Sequence, residues 1–206
     1  VYSDYINTIF VLSVLVPKKE GIKGSNPGDL VRGIMSMPRL GFTDNLFCAA
    51  SAMTSLHINI DRMSGVFWSQ CLTIMLERHL SMKYILTIDY DSVFKVEDVM
   101  SLFMTMETNP QVDALCALQM RRDGDVPLCC LRDKNGEPSV VINRNILRNP
   151  IVPIVAGHFG LTMLRTSAFK DIPKPWFQGV PDKDGGWGEG RIDCDVAFWA
   201  KWIDAG

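Results

Sequence analysis

Runs of apolar residues recur along the chain, and several of them have the length and composition of buried β-strands. Residues 9–16 form a continuous apolar run rich in β-branched side chains, and Pro17 ends it. Residues 84–88 and 113–118 form two further short runs, and residues 152–164 have room for one or two more. Continuous rather than alternating apolar runs are typical of strands that are covered on both faces.

Other stretches place their apolar residues at helical spacing. Residues 95–107 and 195–205 predict two helices, the second with Gly206 at its C-terminal cap position. Residues 62–80 predict a third helix whose apolar stripe faces a core: Met63, Val66, Phe67, Cys71, Ile74 and Met75. Because strands and helices alternate, the sequence predicts an α/β fold with a Rossmann-like, mostly parallel central sheet flanked by helices.

Composition narrows the class of protein. The chain has 206 residues, of which 47% are hydrophobic and 21% charged, so we expect a globular protein and a single domain over residues 1–206. The formal net charge is −2, which leaves no basic excess to neutralise a phosphate backbone. Nucleic acid is therefore not expected as a partner.

Cysteine usage and hydropathy indicate the compartment. The six cysteines lie mostly inside apolar runs, without the spacing of a disulfide framework or a metal knuckle, and are interpreted as reduced thiols. The apolar run at residues 9–16 is too short to span a bilayer and lacks the features of a signal peptide. We therefore expect no transmembrane segment and a cytoplasmic location.

Paired aspartates are the candidates for chemistry. Asp89 and Asp91 follow the apolar run at residues 84–88 and precede a predicted helix. In open α/β sheets, ligands bind at the carboxyl ends of strands, and two carboxylates there can share a divalent cation that neutralises a diphosphate. The alternative is that Asp91 or Ser92 only caps the next helix.

The D-x-D pattern occurs three more times, so the pattern alone is weak. Asp123 and Asp125, and likewise Asp182 and Asp184, lie in glycine-containing stretches that predict solvated turns. Asp193 and Asp195 open the last predicted helix. A carboxylate there can serve as a general base, and helix capping is the competing interpretation.

Histidines and aromatic residues add weaker candidates. His57, His79 and His158 have no metal-ligand spacing among themselves. His158 is of interest because Gly157 and Gly160 flank it in an apolar stretch and can bring the backbone close to a ligand. Trp176 and Phe177 are candidates for stacking on a sugar or a base, with core packing as the alternative.

Taken together, these residues resemble a glycosyltransferase of the GT-A fold, of the family-2-like kind found in bacteria and phages. The resemblance covers residues 84–206 well and the first 80 residues loosely. Three motifs carry it: the strand ending in Asp89-x-Asp91, the glycine-containing strand followed by R-x-x-x-F at residues 155–169, and Asp195-x-x-Phe198 in the last helix.

The resemblance implies a role for each matching residue. Asp89 and Asp91 would bind Mn²⁺ or Mg²⁺ and the nucleotide-sugar, with UDP-sugar as the expected donor. Pro17, Gly157 and His158 would also contact the nucleotide-sugar. Asp195 would deprotonate the hydroxyl acceptor, and inversion of the sugar would follow.

Departures from the family pattern define the alternatives. Cys194 stands where the family has glutamate, so Asp193 or Glu189 is an alternative catalytic base. The family often supplies a further metal ligand, a histidine, beyond this helix, so we expect either an incomplete metal site or a domain shortened after Gly206. A sugar nucleotidyltransferase and a non-catalytic nucleotide- or carbohydrate-binding module are the competing functions.

Overall fold

The computed structural model describes residues 25–38, 40–121, 124, 126–136, 138–141, 143 and 145–205, together with the backbone of residues 9–12. Four residues that carried sequence-based expectations lie outside this part of the chain: Pro17, Asp123, Asp125 and Gly206. No helix in the described residues is long and apolar enough to cross a membrane.

Strands and helices alternate along the described chain as far as residue 117. The strands are β1 (Ile9–Leu12), β2 (Val31–Met37), β3 (Asn59–Ser64), β4 (Tyr84–Asp89), β5 (Ala114–Ala117), β6 (Cys129–Arg132), β7 (Pro138–Ser139), β8 (Ile151–Ile154), β9 (Ala156–Gly157) and β10 (Leu161–Arg165). The α-helices are α1 (Pro27–Leu30), α2 (Thr43–Ser55), α3 (Trp68–His79), α4 (Val96–Thr108) and α5 (Cys194–Asp204). Two 3₁₀ helices span Ile146–Arg148 and Thr166–Lys170.

Seven strands form one sheet in the order β3-β2-β4-β10-β5-β1-β8, and a smaller sheet has the order β7-β6-β9. In the large sheet, β10 and β8 run opposite to the other five strands. The α/β class is confirmed, but the sheet is mixed rather than mostly parallel. Half of its pairings are antiparallel, because β10 is inserted between β4 and β5 and β8 pairs with β1.

Helices cover both faces of the sheet, and β4 shows why its sequence is apolar throughout. Tyr84, Leu86 and Ile88 belong to a core shared with α2 and α4, whereas Ile85 belongs to the core shared with α3 and α5. Successive side chains of a strand point to opposite faces. A continuous apolar run is therefore required where both faces are buried.

The second core contains a group of large rings under α5, which we term the aromatic cluster. Its members are all buried: Phe159, Phe169, Trp176, Phe177, Phe198, Trp199 and Trp202. Phe177 stacks on Phe198 with centroids 4.6 Å apart, and Phe159 stacks on Trp199 at 4.8 Å. Core packing is thus confirmed as the role of Trp176 and Phe177, which had been candidates for stacking on a ligand.

One strand was not expected, and two sequence-based expectations about elements are corrected. The unexpected strand is β2, which lies beside β4, while β1 lies three places from β4 in the sheet. The helix expected at residues 62–80 begins at Trp68, because residues 62–64 pair with β2 as part of β3. Its expected stripe is also wrong in part: Val66, Phe67 and Ile74 are exposed, and the buried residues are Cys71, Leu72, Met75 and Leu76.

Candidate functional site

The carboxyl end of β4 carries the candidate site. Asp89 is the last residue of β4, its side chain is 14% exposed, and its backbone N–H donates to the Gly160 carbonyl oxygen at 3.1 Å. Residues 89–92 then turn away from the sheet, and we term them the acidic turn. Ligands of open α/β sheets bind at strand ends of this kind, so the acidic turn occupies the expected place.

Polar side chains from two neighbouring segments hold the acidic turn. The Asn45 amide, at the start of α2, donates to the carbonyl oxygens of Asp89 at 2.8 Å and Ser92 at 2.6 Å. The Gln119 amide donates to the Ser92 hydroxyl at 2.9 Å. A side chain at Gly160 would collide with the side-chain ends of Gln119 and Ser92 and would displace them from their hydrogen bond. Neither Asn45 nor Gln119 stood out in the sequence, since only tertiary contact gives them this role.

Helix capping does not explain the two aspartates of this turn. Helix α4 has Lys95 as its N-cap, and the Lys95 backbone N–H donates to the Asp98 carboxylate at 2.7 Å. Asp91 and Ser92 therefore lie outside the cap. The alternative interpretation of these residues as a helix N-terminus is wrong.

His158 lies beside Asp89. Its Nδ1 atom is 3.8 Å from the Asp89 Oδ2 atom, is buried, and has no hydrogen-bond partner among the described residues. Buried polar atoms in folded proteins are normally paired. An imidazole nitrogen that faces a carboxylate in this way makes His158 a candidate for contact with a ligand.

Further charged groups act on Asp89 from distant parts of the chain. Burial is the main effect that raises the pKa of Asp89 above its ordinary value, and His158 opposes it. The carboxylates of Asp91 and Asp195 raise the pKa further, and a hydrogen bond from Trp68 lowers it. Burial is the main effect that raises the pKa of the Cys130 thiol, and the charge of Asp195 raises it further. The fold thus brings Asp89, Asp91, His158 and Asp195 into one electrostatic neighbourhood.

Asp193 and Glu189, the alternative bases, are placed differently. Asp193 is the N-cap residue of α5 but makes no side-chain capping hydrogen bond, and its carboxylate pairs with the Arg191 guanidinium at 2.8 Å. Glu189 is exposed in the preceding loop. Asp195 is half-buried, and one of its carboxylate oxygens accepts the Val196 N–H at 2.8 Å. Of the three, Asp195 is the one whose charge reaches Asp89.

Gly157 packs against other parts of the protein rather than lining an open cleft. A Cβ atom at this position would lie 2.5 Å from the Cys116 sulfur. The Gly157 carbonyl oxygen accepts a hydrogen bond from the Trp199 indole N–H at 2.6 Å. Burial raises the pKa of Cys116 to about 12 and that of Cys129 to about 11. These thiols are therefore protonated and unreactive at neutral pH.

Candidate ligands for a divalent cation lie at the acidic turn. Carboxylate oxygens together with an imidazole nitrogen suit Mn²⁺, and the His158 Nδ1 atom lies beside Asp89. Among the described residues, no group of three or more His, Cys, Asp or Glu side chains is placed to hold a metal ion. An ion at this place would therefore take further ligands from a bound molecule.

A separate groove of about 480 Å³ lies along α2 and β3 and is lined mainly by apolar residues, including Met35, Met53 and Ile60. None of the charged residues of the candidate site lines it. The groove therefore gives no information on the chemistry at the end of β4.

Comparison with known proteins supports the fold alone. No protein-family model matches the chain, and no curated protein matches it. Its structure is similar to one described as "Crystal Structure of A197 from STIV", with a TM-score of 0.54 and 15% sequence identity. The similarity covers 83% of this chain and 78% of that one. At this identity, the likeness shows a shared α/β architecture.

Proposed function

We propose that this protein is a metal-dependent glycosyltransferase of GT-A type, which moves a sugar from a nucleotide-sugar to a hydroxyl acceptor with inversion. One observation carries the proposal. Asp89 and Asp91 at the end of β4 lie in the same electrostatic neighbourhood as Asp195, which belongs to a helix over a hundred residues later. Separate segments converging in this way, with a buried imidazole nitrogen beside Asp89, are characteristic of an active site.

We assign donor binding to the acidic turn. Asp91 and Asp89 would hold Mn²⁺ or Mg²⁺ together with the diphosphate oxygens of the donor, for which a UDP-sugar is the first choice. The cation would neutralise the negative charge that develops on the leaving diphosphate. This role agrees with the incomplete protein ligand set, since the donor would supply the remaining oxygens.

We assign deprotonation of the acceptor to Asp195. Its half-buried carboxylate can accept the acceptor's hydroxyl proton while that oxygen attacks the sugar carbon. Asp193 is less suited to this role because Arg191 already neutralises it, and Glu189 is exposed. A base on one side of the sugar and a leaving diphosphate on the other correspond to direct displacement with inversion.

The order of the sheet agrees with this proposal. The strand that ends in the acidic turn is parallel to β2 on one side and antiparallel to β10 on the other. The likeness to A197 extends over most of both chains and supports the architecture on which the proposal rests.

Two aspartate variants test the proposal with a matched control. Asp91→Asn should lower Mn²⁺-dependent hydrolysis or transfer of a UDP-sugar by about a hundred-fold or more, because removing one preorganised electrostatic group commonly costs that much. Asp184→Asn, which changes the exposed loop pair Asp182 and Asp184, should keep full activity. Circular dichroism would check that both variants fold.

Full activity in Asp91→Asn would refute the proposal. Binding of UDP with Mn²⁺ but no turnover with any sugar would instead favour a non-catalytic nucleotide-binding module. Release of pyrophosphate from a nucleoside triphosphate and a sugar 1-phosphate would favour a nucleotidyltransferase.

A further inference from the structure

The strand β3 forms one edge of the large sheet, and one side of its backbone is open. Within the described chain it pairs only with β2, and no described residue outside β2 makes a backbone hydrogen bond with residues 59–64. An edge strand presents a row of unpaired N–H and C=O groups on which a further strand can form. Charged side chains on such an edge decide which strands can pair with it.

The apolar groove along α2 lies beside this open edge. Ile60 and Arg62 form its β3 wall, and Leu46, which is 55% exposed, belongs to its α2 wall. Arg62 pairs with Met35, whose side chain lies in the core under α2, so Arg62 and Ile60 share that face of the sheet. A strand added to β3 would direct every second side chain to the same face. The edge and the groove together therefore form one surface, which we term the β3 docking surface.

Charge gives the β3 docking surface a preference. Among the described residues that line the groove there is no carboxylate, and Arg62 is the one arginine or lysine. Arg62 is exposed and forms no ion pair or hydrogen bond with any described residue. On the other face of β3, Asp61 is already paired with His79 and Arg78. An acidic side chain opposite Arg62 would therefore gain a partner, whereas a basic one would be repelled.

A second copy of this chain is a poor partner for the edge. A twofold axis normal to the sheet makes two copies of an edge strand antiparallel and places residues of the same face opposite each other. The two registers that pair the most residues of β3 are centred on Asp61 and on Arg62, and each puts a charge opposite its own copy. Like charges directly opposite are destabilising. The charges of β3 therefore favour a different segment with a complementary pattern.

We propose that the β3 docking surface binds an extended segment of a partner protein, which joins the sheet as a further strand. Its backbone pairs with β3, an acidic side chain meets Arg62, and apolar side chains on the same face cover Ile60 and Leu46. Main-chain hydrogen bonds of this kind provide affinity, and the alternate side chains provide specificity. No charged residue of the candidate site lines the groove, so this inference is independent of the proposed function.

Synthetic peptides test the proposal on the whole chain. One probe is a fluorescent peptide of about ten residues that alternates threonine with leucine and has a central glutamate in place of one leucine, which is the strand pattern the surface requires. The matched probe has lysine at that position. Fluorescence anisotropy should give an affinity about five-fold higher for the glutamate peptide. Arg62→Glu should reverse this order, whereas Arg148→Glu, which changes another exposed arginine, should not.

Backbone pairing has a signature of its own. When the glutamate peptide binds, amide hydrogen exchange within residues 59–64 should slow, and exchange in the turn at residues 133–136 should not change. Methylation of every second peptide nitrogen, prepared in both frames, removes the N–H donors of one edge or the other. At least one of the two methylated peptides should therefore lose binding. A peptide that entered the groove as a helix would slow no exchange in β3.

Three outcomes would overturn the inference. If the original chain does not bind the glutamate peptide at about 1 mM, β3 does not accept a further strand. If the glutamate and lysine peptides bind equally well and Arg62→Glu changes neither affinity, charge does not select the partner. If sedimentation shows a dimer in which residues 59–64 are protected without peptide, a second copy occupies the edge instead.

Discussion

The aromatic cluster and the acidic turn lie close together in the fold but are built in opposite ways. In the aromatic cluster the rings are buried, and two indoles find partners: Trp199 donates to the Gly157 carbonyl oxygen and Trp176 to that of Ile172. Around the acidic turn, three buried atoms have no hydrogen-bond partner in the part of the chain that the structure describes: the amide oxygens of Asn45 and Gln119 and the Nδ1 atom of His158. Trp202 is the exception in the cluster, since its indole nitrogen also finds no partner there.

The contrast indicates which region supports the fold and which is kept ready for a ligand. Well-packed apolar rings lower the free energy of the folded state, whereas unpaired buried polar atoms raise it. Proteins tolerate such a cost mainly at functional sites. Three variants test this division between the two regions.

The largest expected effect is in the aromatic cluster. Trp199→Ala should lower the free energy of unfolding by about 3–5 kcal/mol, because it removes a fully buried ring. Trp187→Ala removes an indole that is 63% exposed and should change it by less than about 0.5 kcal/mol. Urea unfolding monitored by circular dichroism measures both. Similar losses in the two variants would contradict the assignment of the aromatic cluster as the stabilising region.

A smaller effect of opposite sign is expected at the acidic turn. Asp89→Asn should raise the free energy of unfolding at pH 7 by about 1 kcal/mol in the presence of a chelator, because burial and two neighbouring carboxylates disfavour the Asp89 charge. The same variant should lose Mn²⁺-dependent binding of uridine diphosphate. A variant that is both less stable and fully able to bind would show that the Asp89 charge serves the fold.

The smallest effect is expected outside both regions, at the edge strand β3. Asp61 lies 3.0 Å from the His79 Nε2 atom and 3.5 Å from an Arg78 nitrogen, and the His79 hydrogen bond is the main cause that lowers the pKa of Asp61. A carboxyl whose pKa is lowered by folding stabilises the folded state at pH values above its ordinary pKa. This stabilisation is lost as the pH falls through the lowered pKa.

Asp61→Asn should therefore cost less than about 1 kcal/mol at pH 6 and less still at pH 2, because protonation of the folded-state carboxyl removes the stabilisation. Exposed Asp171 provides the control, since Asp171→Asn should have no effect at either pH. Urea unfolding at the two pH values makes the measurement. A cost of Asp61→Asn that persists at pH 2 would mean that the side chain acts through packing.

Much of the fold was predictable wherever an apolar pattern was strong. The strand at residues 84–88, the strand at 113–118 and the helices at 95–107 and 195–205 all appear close to their expected bounds. The prediction failed at β3, whose residues are mostly exposed because it is an edge strand. Its one apolar position that suited a helical stripe, Met63, instead belongs to a strand paired with β2.

The candidate site was predictable only as a set of separate residues. Asp89 and Asp91 were recognisable because they follow a buried strand, and Asp195 because it opens a helix. Asn45 and Gln119 gave no signal, since each lies in an ordinary loop or helix start. Their roles depend on contacts with residues 44 and 27 positions away along the chain.

The sequence by itself determined the periodicity, and with it the α/β class, the buried strand before Asp89 and the helix that carries Asp195. These follow from local patterns, because a strand or helix must bury its own apolar side chains. Only the tertiary structure decided that β2 lies beside β4, that β10 runs antiparallel to it, and that the charge of Asp195 acts on Asp89. Strand order depends on long-range packing between segments, which no local pattern in the chain encodes.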